Sequence, residues 1–248
     1  MIVLLPPSET KRAGGDPQPL HLGRLSSPEL TALRTELVDE LVALAADRPA
    51  SRRALGLSPT QDAEIDHNAA LYSAPTLPAI SRYTGVLYEA LDVESLHGAA
   101  AARAASRLAV ASALFGLLRA ADPVPAYRLS ATSKLPAQPT LAKRWRPVLE
   151  PVLAEIADAE LVVDLRSGSY AALARVPGAV RADVVAEYPD GRRKSVSHFN
   201  KAHKGRLARV LATTGSEPGD AAAVATIARR AGMRVELDDH LLTVVVPA

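Results

Sequence analysis

The sequence contains no cysteine. Disulfide bonds, zinc or iron–sulfur centres ligated by cysteine, and peroxidase chemistry at a thiol are therefore excluded, and no disulfide-bonded partner is expected. Aromatic residues make up only 4% of the chain, which argues against a platform that stacks the bases of single-stranded nucleic acid. No apolar run approaches the roughly 18 residues that a membrane-spanning helix needs, so no membrane partner is expected either.

Several short functional signatures are also missing from the sequence. It has no GxxxxGK[ST] phosphate-binding loop, no GxGxxG after a strand and no GxSxG nucleophile elbow. Its six histidines show no HExxH pattern and no close carboxylates, so we expect neither a metal site nor a cofactor. The opening residues lack a basic stretch and a long apolar run, which predicts a cytoplasmic protein without a secretion signal.

The composition that remains is that of an ordinary soluble domain. Of the 248 residues, 48% are apolar and 23% are charged. This length could form one large domain or two small ones, but we find no internal repeat and no separating linker. Strand-like and helical runs are mixed, with both helical crossovers and hairpins. The pattern predicts a single α/β (mixed α+β) domain over residues 1–248, with a mixed sheet flanked by helices.

Local patterns predict the main elements. Five leucines at helical spacing mark one buried helix face, namely Leu30, Leu33, Leu37, Leu41 and Leu44. Pro49 is expected to end that helix. An Ala-rich helical stretch is predicted over residues 97–121. Strands are predicted at residues 2–5, 161–165, 180–188, 193–199, 234–237 and 241–246.

Positive charge is concentrated in one segment of the chain. There are 29 basic and 27 acidic residues, a formal net charge of +2, yet residues 190–210 hold seven Lys or Arg and one acid, Asp190. These basic residues lie where a strand leads into a helix. The free N–H groups and the dipole of a helix N-terminus add to their charge. The segment therefore predicts a site for a phosphate-bearing partner, either a small molecule or a nucleic acid.

Two other junctions between strand and helix share this character, at residues 8–11 and 166–170. Ligand sites in open α/β sheets gather beyond the carboxyl ends of the strands, so the three loops should meet if their strands are parallel neighbours. Hydroxyl, Lys and Arg side chains suit phosphate or carboxylate, and Gly168 and Gly205 would let the backbone approach closely. The predicted lining residues are Ser8, Glu9, Lys11, Arg166, Ser167, Ser169, Lys201, Lys204 and Arg206.

The candidate catalytic residues of this pocket are Ser8, Glu9 and Lys201. Glu9 could act as a base beside Ser8 or Lys11. The alternative is that Ser167 and Ser169 only cap a helix and that the lysines are solvated.

A fourth segment, residues 99–128, could carry a helix-hairpin-helix-like element. Two helices joined by a turn that contains glycine can present backbone N–H groups to a DNA phosphate. Gly116, within the run Leu114–Arg119, lies in the apolar context that such a turn requires. The alternative is an apolar core helix in which Gly116 marks a point of close packing.

Several blocks of the chain resemble the peroxide-stress protein YaaA family. They are residues 1–7, Tyr83-Thr84-Gly85, residues 114–119 with Asp122, residues 125–129, Trp145, residues 163–170 and residues 197–206. Their order and spacing hold across almost the whole chain, so the resemblance is global rather than confined to one motif.

The resemblance implies a role, a fold and a set of site residues. The family is associated with protection from hydrogen peroxide through limiting free iron and iron-dependent damage to DNA. It is also associated with a mixed α/β fold, a positively charged cleft, a helix-hairpin-helix-like element and DNA binding. Carried onto this chain, the cleft residues are Arg166, Tyr170, Lys201, Lys204 and Arg206, with the hairpin element near residues 114–119. Arg128 is a further candidate ligand- or DNA-binding residue. Relatives carry a lysine near position 9, whereas this chain has Glu9 and then Lys11, which favours an acid–base role for Glu9.

Two functional hypotheses follow. The first is a stress protein that binds double-stranded DNA through phosphate contacts, independently of sequence and with strong salt dependence. The second is an enzyme acting on a small phosphorylated or carboxylated, nucleotide-like substrate in a pocket formed by residues 8–11, 166–170 and 200–206. A deep pocket would favour the second hypothesis and a shallow groove the first. Direct iron binding is disfavoured, because cysteine is absent and His and carboxylate residues are not clustered. The sequence leaves open whether the protein is an enzyme.

Overall fold

A computed structural model describes residues 1–136, 139–195 and 200–248 of the chain. Ten strands lie in these residues: β1 (Ile2–Leu5), β2 (Leu77–Pro78), β3 (Leu108–Ser112), β4 (Gly116–Arg119), β5 (Pro123–Val124), β6 (Val162–Asp164), β7 (Val180–Glu187), β8 (Arg193–Ser195), β9 (Val235–Asp238) and β10 (Leu241–Pro247).

The same residues contain ten α-helices and four short 3₁₀ helices. The α-helices are α1 (Thr31–Ala45), α2 (Arg48–Leu55), α3 (Asp62–Ala69), α4 (Ala79–Arg82), α5 (Val86–Leu91), α6 (Gly98–Arg107), α7 (Leu141–Ala159), α8 (Gly168–Ala171), α9 (Asn200–Thr213) and α10 (Ala221–Arg230). The 3₁₀ helices are Leu22–Arg24, Pro28–Leu30, Pro59–Gln61 and Val93–Ser95.

Eight of the strands form one mixed sheet. Its order is β4-β3-β1-β6-β7-β10-β9, with β8 paired to β7 off this path. β1 pairs in parallel with β3 and β6, and β7 pairs in parallel with β6 and β10. β4, β8 and β9 run antiparallel to their neighbours. The predicted α/β domain with a mixed sheet is therefore confirmed.

The centre of the sheet lies in the core. All four residues of β1 and all five of β3 are buried. Continuous apolar runs of this kind are typical of parallel strands that are covered on both faces. β1 ends at Leu5, and the chain that leaves it at Pro6 becomes part of the candidate site.

The leucine-rich helix forms as predicted, but it ends earlier. All five leucines of the predicted face are buried in α1 and the turn before it. α1 ends at Ala45, and Pro49 lies in the first turn of α2. The prediction that Pro49 ends the helix was wrong, because proline fits the first turn of a helix, where its missing N–H is not needed. Asp47 caps α2 by accepting a hydrogen bond from the Ala50 N–H.

The predicted Ala-rich helix over residues 97–121 was wrong in its second half. α6 ends at Arg107, and residues 108–119 form a hairpin of β3 and β4. Pairing with β1 satisfies the backbone of this buried run, so tertiary packing overrides the helix propensity of alanine. Residues 99–128 therefore lack the second helix that a helix-hairpin-helix-like element needs.

Gly116 lies at the turn of this hairpin. Its φ is +71°, and a Cβ there would lie 2.6 Å from the Trp145 ring. The indole N–H of Trp145 donates to the Ala113 carbonyl at 2.9 Å, and the buried guanidinium of Arg34 donates to the Phe115 carbonyl at 2.9 Å. Gly116 is thus a point of close packing, as the alternative interpretation predicted, although in a hairpin rather than a helix.

Replacing Gly116 should be costly for two separable reasons. Gly116→Ala is expected to lower the free energy of unfolding by about 2–4 kcal/mol, because overpacking against Trp145 adds to the strain of a positive φ. Gly178→Ala is the matched control, since Gly178 has a φ of +63° and nothing within 4 Å of its Cβ position. In the same denaturant titration, its free energy of unfolding should fall only by the cost of the strained φ, about 1 kcal/mol. Equal losses in the two variants would contradict the clash with Trp145.

Candidate functional site

The loops that follow β1 and β6 meet at one edge of the sheet. The two strands are parallel neighbours, with Leu4 opposite Asp164. The Leu165 N–H donates to the Leu4 carbonyl at 2.9 Å. Because the carboxyl ends of both strands point the same way, the structure brings residues 8–11 and 166–170 together.

The third loop reaches the same edge by a different route. β8 turns back and runs antiparallel to β7, so the assumption of three parallel strands was wrong. α9 nevertheless begins beside the β6 loop, and the Lys204 ammonium group donates to the Leu165 carbonyl at 3.2 Å. Residues 196–199, which include His198 of the basic segment, lie outside the described residues.

A cavity of about 580 Å³ lies where these three segments meet. Small-molecule sites typically measure roughly 300–1,000 Å³. Seven predicted site residues line it: Ser8, Glu9, Ser167, Ser169, Tyr170, Lys201 and Lys204. Sequence reasoning missed two parts of the wall, namely residues 84–88 and 130–132, whereas Asn200 lies within the predicted segment 200–206. Two signals were available: the Tyr83-Thr84-Gly85 block of the resemblance and the pair of hydroxyl residues in Ser130-Ala131-Thr132.

Hydroxyl groups form much of the cavity wall. The Ser8 hydroxyl lies 3.2 Å from the Thr10 hydroxyl, which accepts a hydrogen bond from Thr84 at 3.1 Å. The hydroxyls of Ser167 and Ser169 lie 3.2 Å apart. Since a hydroxyl can donate or accept, these groups can adapt to either kind of ligand atom.

Lys204 is the buried cation of the cavity. The residue is 7% exposed, and its ammonium group donates to the carbonyls of Leu165 at 3.2 Å and Arg166 at 3.5 Å. Burial lowers the pKa of Lys204, and the carboxylates of Asp183 and Asp164 act in the opposite direction. Within the described residues no carboxylate is in ion-pair contact with Lys204, and Asp164 is paired with Arg166 instead. The cavity therefore contains a buried positive charge held only by carbonyl oxygens.

Gly205, the next residue of α9, allows that helix to contact α5. A Cβ at Gly205 would lie 2.2 Å from the Leu87 carbonyl oxygen and 2.8 Å from the Ala90 Cβ. The close approach predicted at Gly205 therefore serves helix packing rather than a ligand. Because Leu87 also lines the cavity, this contact sets the separation of two of its walls.

Arg166 does not face the cavity, contrary to its predicted placement. Its Nε donates to Asp164 Oδ1 at 2.9 Å and its Nη2 to Asp164 Oδ2 at 2.8 Å. Nη1 donates to the Ala174 carbonyl at 3.0 Å, and the residue is 6% exposed. Arg166 thus shapes the loop that carries Ser167 and Ser169, and its charge is already neutralised.

Arg206 lines a second cavity, so the prediction of one pocket holding both Lys204 and Arg206 was wrong. This cavity, of about 670 Å³, lies at the ends of β7 and β10 and includes His203 and Tyr188. Residues two apart on a helix point in different directions, which separates Lys204 from Arg206. Burial lowers the pKa of His203, and the neighbouring Arg206 adds to this effect.

Lys11 lies beneath residues 8–11 rather than on the cavity wall. Its ammonium group donates to the carbonyls of Ser8 at 3.1 Å and Glu9 at 3.3 Å, and lies 4.1 Å from the centre of the Tyr127 ring. Burial lowers the pKa of Lys11 to about 7, and the Arg128 guanidinium acts in the same direction. Lys11 therefore holds the loop in place and contributes no direct contact to the cavity.

Glu9 and Arg128 form an ion pair beside the cavity. Arg128 Nη2 donates to Glu9 Oε2 at 2.8 Å. The Arg128 side chain is 11% exposed, and its Nε is buried with no hydrogen-bond partner among the described residues. The Arg128 backbone N–H donates to Asn68 Oδ1 at 2.7 Å, which fixes the residue. Arg128, predicted as a ligand contact, lies behind Glu9.

The charges on the cavity wall give a small positive excess. Lys201 and Lys204 contribute two positive charges and Glu9 one negative charge. This does not establish the broad positively charged cleft that the resemblance implies. Within the residues that the structure describes, no group of three His, Asp or Glu side chains could hold a metal ion. No helix in that part of the chain has both the length and the apolar character needed to cross a membrane.

Fold and site together define an α/β protein with a ligand-sized cavity, which carries hydroxyl and lysine side chains, beyond the carboxyl ends of parallel strands. A family model described as peroxide stress protein YaaA matches residues 1–231. A UPF0246 protein of Corynebacterium efficiens is 49% identical over 99% of this chain and 100% of that protein. A UPF0246 protein of Streptomyces coelicolor is 46% identical over 96% of this chain and 93% of its own length. The chain belongs to the YaaA family of peroxide stress proteins, as its motifs predicted.

The lowered pKa of Lys11 predicts how stability depends on pH. An unfolded lysine has a pKa of about 10.4, so between about pH 7 and 10 the unfolded chain holds a proton that folded Lys11 has released. The free energy of unfolding should therefore rise with pH across this window. Lys11→Met removes the titrating group, so its stability should rise less than that of the wild type in denaturant titrations. Lys143→Met, at an exposed position of α7, should follow the wild type. Parallel curves for Lys11→Met and the wild type would contradict the prediction.

Proposed function

We propose that this protein acts in the response to hydrogen peroxide by binding a small phosphate-bearing ligand in the cavity between β1, β6 and α9. The role in peroxide stress is supported by the description of the family model that matches the chain. Limiting iron-dependent oxidative damage, which the resemblance implies, would be a consequence of that binding. The observation that carries the proposal is the buried Lys204 in a hydroxyl-lined cavity of about 580 Å³.

The chemistry of the wall suits an anion. Buried charges in proteins are normally paired, and an unpaired one is costly. Lys204 has only carbonyl oxygens as partners, so an anionic ligand would supply the missing counter-charge. Lys201, exposed at the wall, and the hydroxyls of Ser167 and Ser169 add donors for the oxygen atoms of a phosphate.

Double-stranded DNA is the second candidate partner, and the geometry supports it less well. Lys194, Lys201 and Arg206 are exposed along β8 and α9, where they could contact phosphates. They do not form one continuous surface, however, because Lys201 lines the cavity between β1, β6 and α9, whereas Arg206 lines the second cavity. The neighbouring Arg193 is already paired with Glu236 at 2.7 Å. A ligand-sized cavity favours a small molecule over a duplex.

The cavity supports binding more directly than catalysis. A hydroxyl nucleophile needs a base within hydrogen-bond reach. The Ser8 hydroxyl instead contacts the Thr10 hydroxyl at 3.2 Å, and the Glu9 carboxylate is held by Arg128. Of the candidate catalytic residues, Ser8 and Lys201 are therefore assigned as ligand contacts, and Glu9, held by Arg128, as the negative charge on the wall. If the bound ligand also reacts, the protein is an enzyme acting on a small phosphorylated or carboxylated substrate.

Removing Lys201 should weaken phosphate binding selectively. We expect ribose phosphate to bind the wild type in calorimetric titration at low salt, and Lys201→Ala to bind it about tenfold more weakly, as a charged hydrogen bond is lost. Lys143→Ala is the control, because Lys143 is also an exposed lysine but lies on α7, outside the cavity. A short DNA duplex should bind more weakly than ribose phosphate. Tight duplex binding without ribose phosphate binding, or equal effects of the two lysine variants, would contradict the proposal.

Neutralising Glu9 should strengthen the same interaction. Its carboxylate is the negative charge on the wall, so Glu9→Gln should raise the affinity for ribose phosphate about threefold to tenfold. The gain should shrink as salt screens the charge. Glu29→Gln, at an exposed glutamate outside the cavity, should leave affinity unchanged. Weaker binding by Glu9→Gln would show instead that Glu9 contacts the ligand as an acceptor or acts as a base.

A further inference from the structure

The unexplained polar atom of this cavity belongs to Asn200. Asn200 is the first residue of α9 and lines the cavity beside Lys201. Its side-chain oxygen, Oδ1, is buried and has no hydrogen-bond partner among the described residues. Buried polar atoms in proteins are nearly always paired, so an unpaired one at a cavity wall requires an explanation.

Capping of α9 does not supply that explanation. An Asn side chain that caps a helix accepts a hydrogen bond from a backbone N–H two or three residues later. Asn200 Oδ1 accepts none from the described residues, so it does not stabilise the helix in this way. The oxygen is therefore left as an unused hydrogen-bond acceptor among the described residues.

The lysines, Glu9 and Tyr88 nearby differ from this acceptor, because each either can only donate hydrogen bonds or already has a partner. Lys201 and Lys204 can only donate hydrogen bonds. The Tyr88 hydroxyl donates to the Pro6 carbonyl at 2.8 Å, and the Glu9 carboxylate accepts from Arg128. The cavity thus combines cations that need an anion with an amide oxygen that needs a donor.

Apolar groups line another part of the wall. Pro6, Pro7, Val86 and Leu87 contribute to it, and Val86 is 36% exposed. A bare oxyanion would leave these groups in contact with water, whereas a carbon skeleton would cover them. The space of about 580 Å³ also far exceeds that of one oxyanion.

We infer that the ligand is a hydroxylated organic phosphate, such as a sugar phosphate or a nucleotide, and that Asn200 selects it by accepting a hydrogen bond from a ligand hydroxyl. Lys201 and Lys204 bind the phosphate, and the apolar wall contacts the carbon skeleton. This inference rests on the proposed function and adds the class of ligand and the residue that recognises the ligand hydroxyl.

The test compares two ligands that differ only in hydroxyl groups, glycerol phosphate and propyl phosphate. The wild type should bind glycerol phosphate about tenfold more tightly, because propyl phosphate leaves the Asn200 oxygen unpaired. Asn200→Ala should lose most of this preference, mainly through weaker binding of glycerol phosphate. Lys201→Ala should weaken both ligands to a similar extent and keep the preference. Thermal unfolding of each variant establishes that it is folded before titration.

Each outcome bears on a different claim. Equal affinity of the wild type for both phosphates, or a preference that survives Asn200→Ala, overturns the role of Asn200 while leaving phosphate binding intact. Failure of the wild type to bind either phosphate overturns the proposed function itself. If the preference holds, ribose phosphate and adenosine monophosphate are titrated next. Tighter binding of the first identifies the ligand as a sugar phosphate, and tighter binding of the second identifies it as a nucleotide.

Discussion

The placement of α9 against the edge of the sheet is the constraint on which the site depends. Two consecutive residues fix it. Lys204 donates to the carbonyl that follows β6, at 3.2 Å, and Gly205 brings the helix so close to α5 that a Cβ would lie 2.2 Å from the Leu87 oxygen. The first contact requires the long cationic side chain of lysine, and the second requires a residue without a side chain. Together they hold Asn200 and Lys201 beside the loops of β1 and β6, and they place an uncompensated charge where a ligand can reach it.

Features with a strong local pattern could be predicted from the sequence. The leucine face of α1 follows from helical spacing alone, and the apolar run 161–165 contains the observed strand Val162–Asp164. The loops that meet could also be identified, since hydroxyl and basic residues follow two apolar strands. Residues 108–119 could not, because a buried apolar run fits a helix or a strand equally well and only its pairing with β1 decides between them.

The direction of side chains was the second source of error in the predicted site. The sequence did contain information about these directions. Asp164 and Arg166 are two residues apart in an extended segment, so they share a side of the chain and can pair. Lys204 and Arg206 are two apart on a helix, so they point to different cavities. Treating all nearby cations as one cluster therefore overestimated the charge available to a single ligand. The walls formed by residues 84–88 and 130–132 depend on long-range packing, which local patterns do not contain.

Anion binding in this cavity is tested most directly by a crystal structure determined in the presence of tungstate, a tetrahedral oxyanion whose anomalous scattering locates it without ambiguity. A peak is expected inside the cavity, within hydrogen-bond distance of Lys201 and the Ser167 hydroxyl. A peak found solely beside Arg206 in the other cavity, or an empty cavity at saturating tungstate, would contradict the claim that this site exists to bind phosphate.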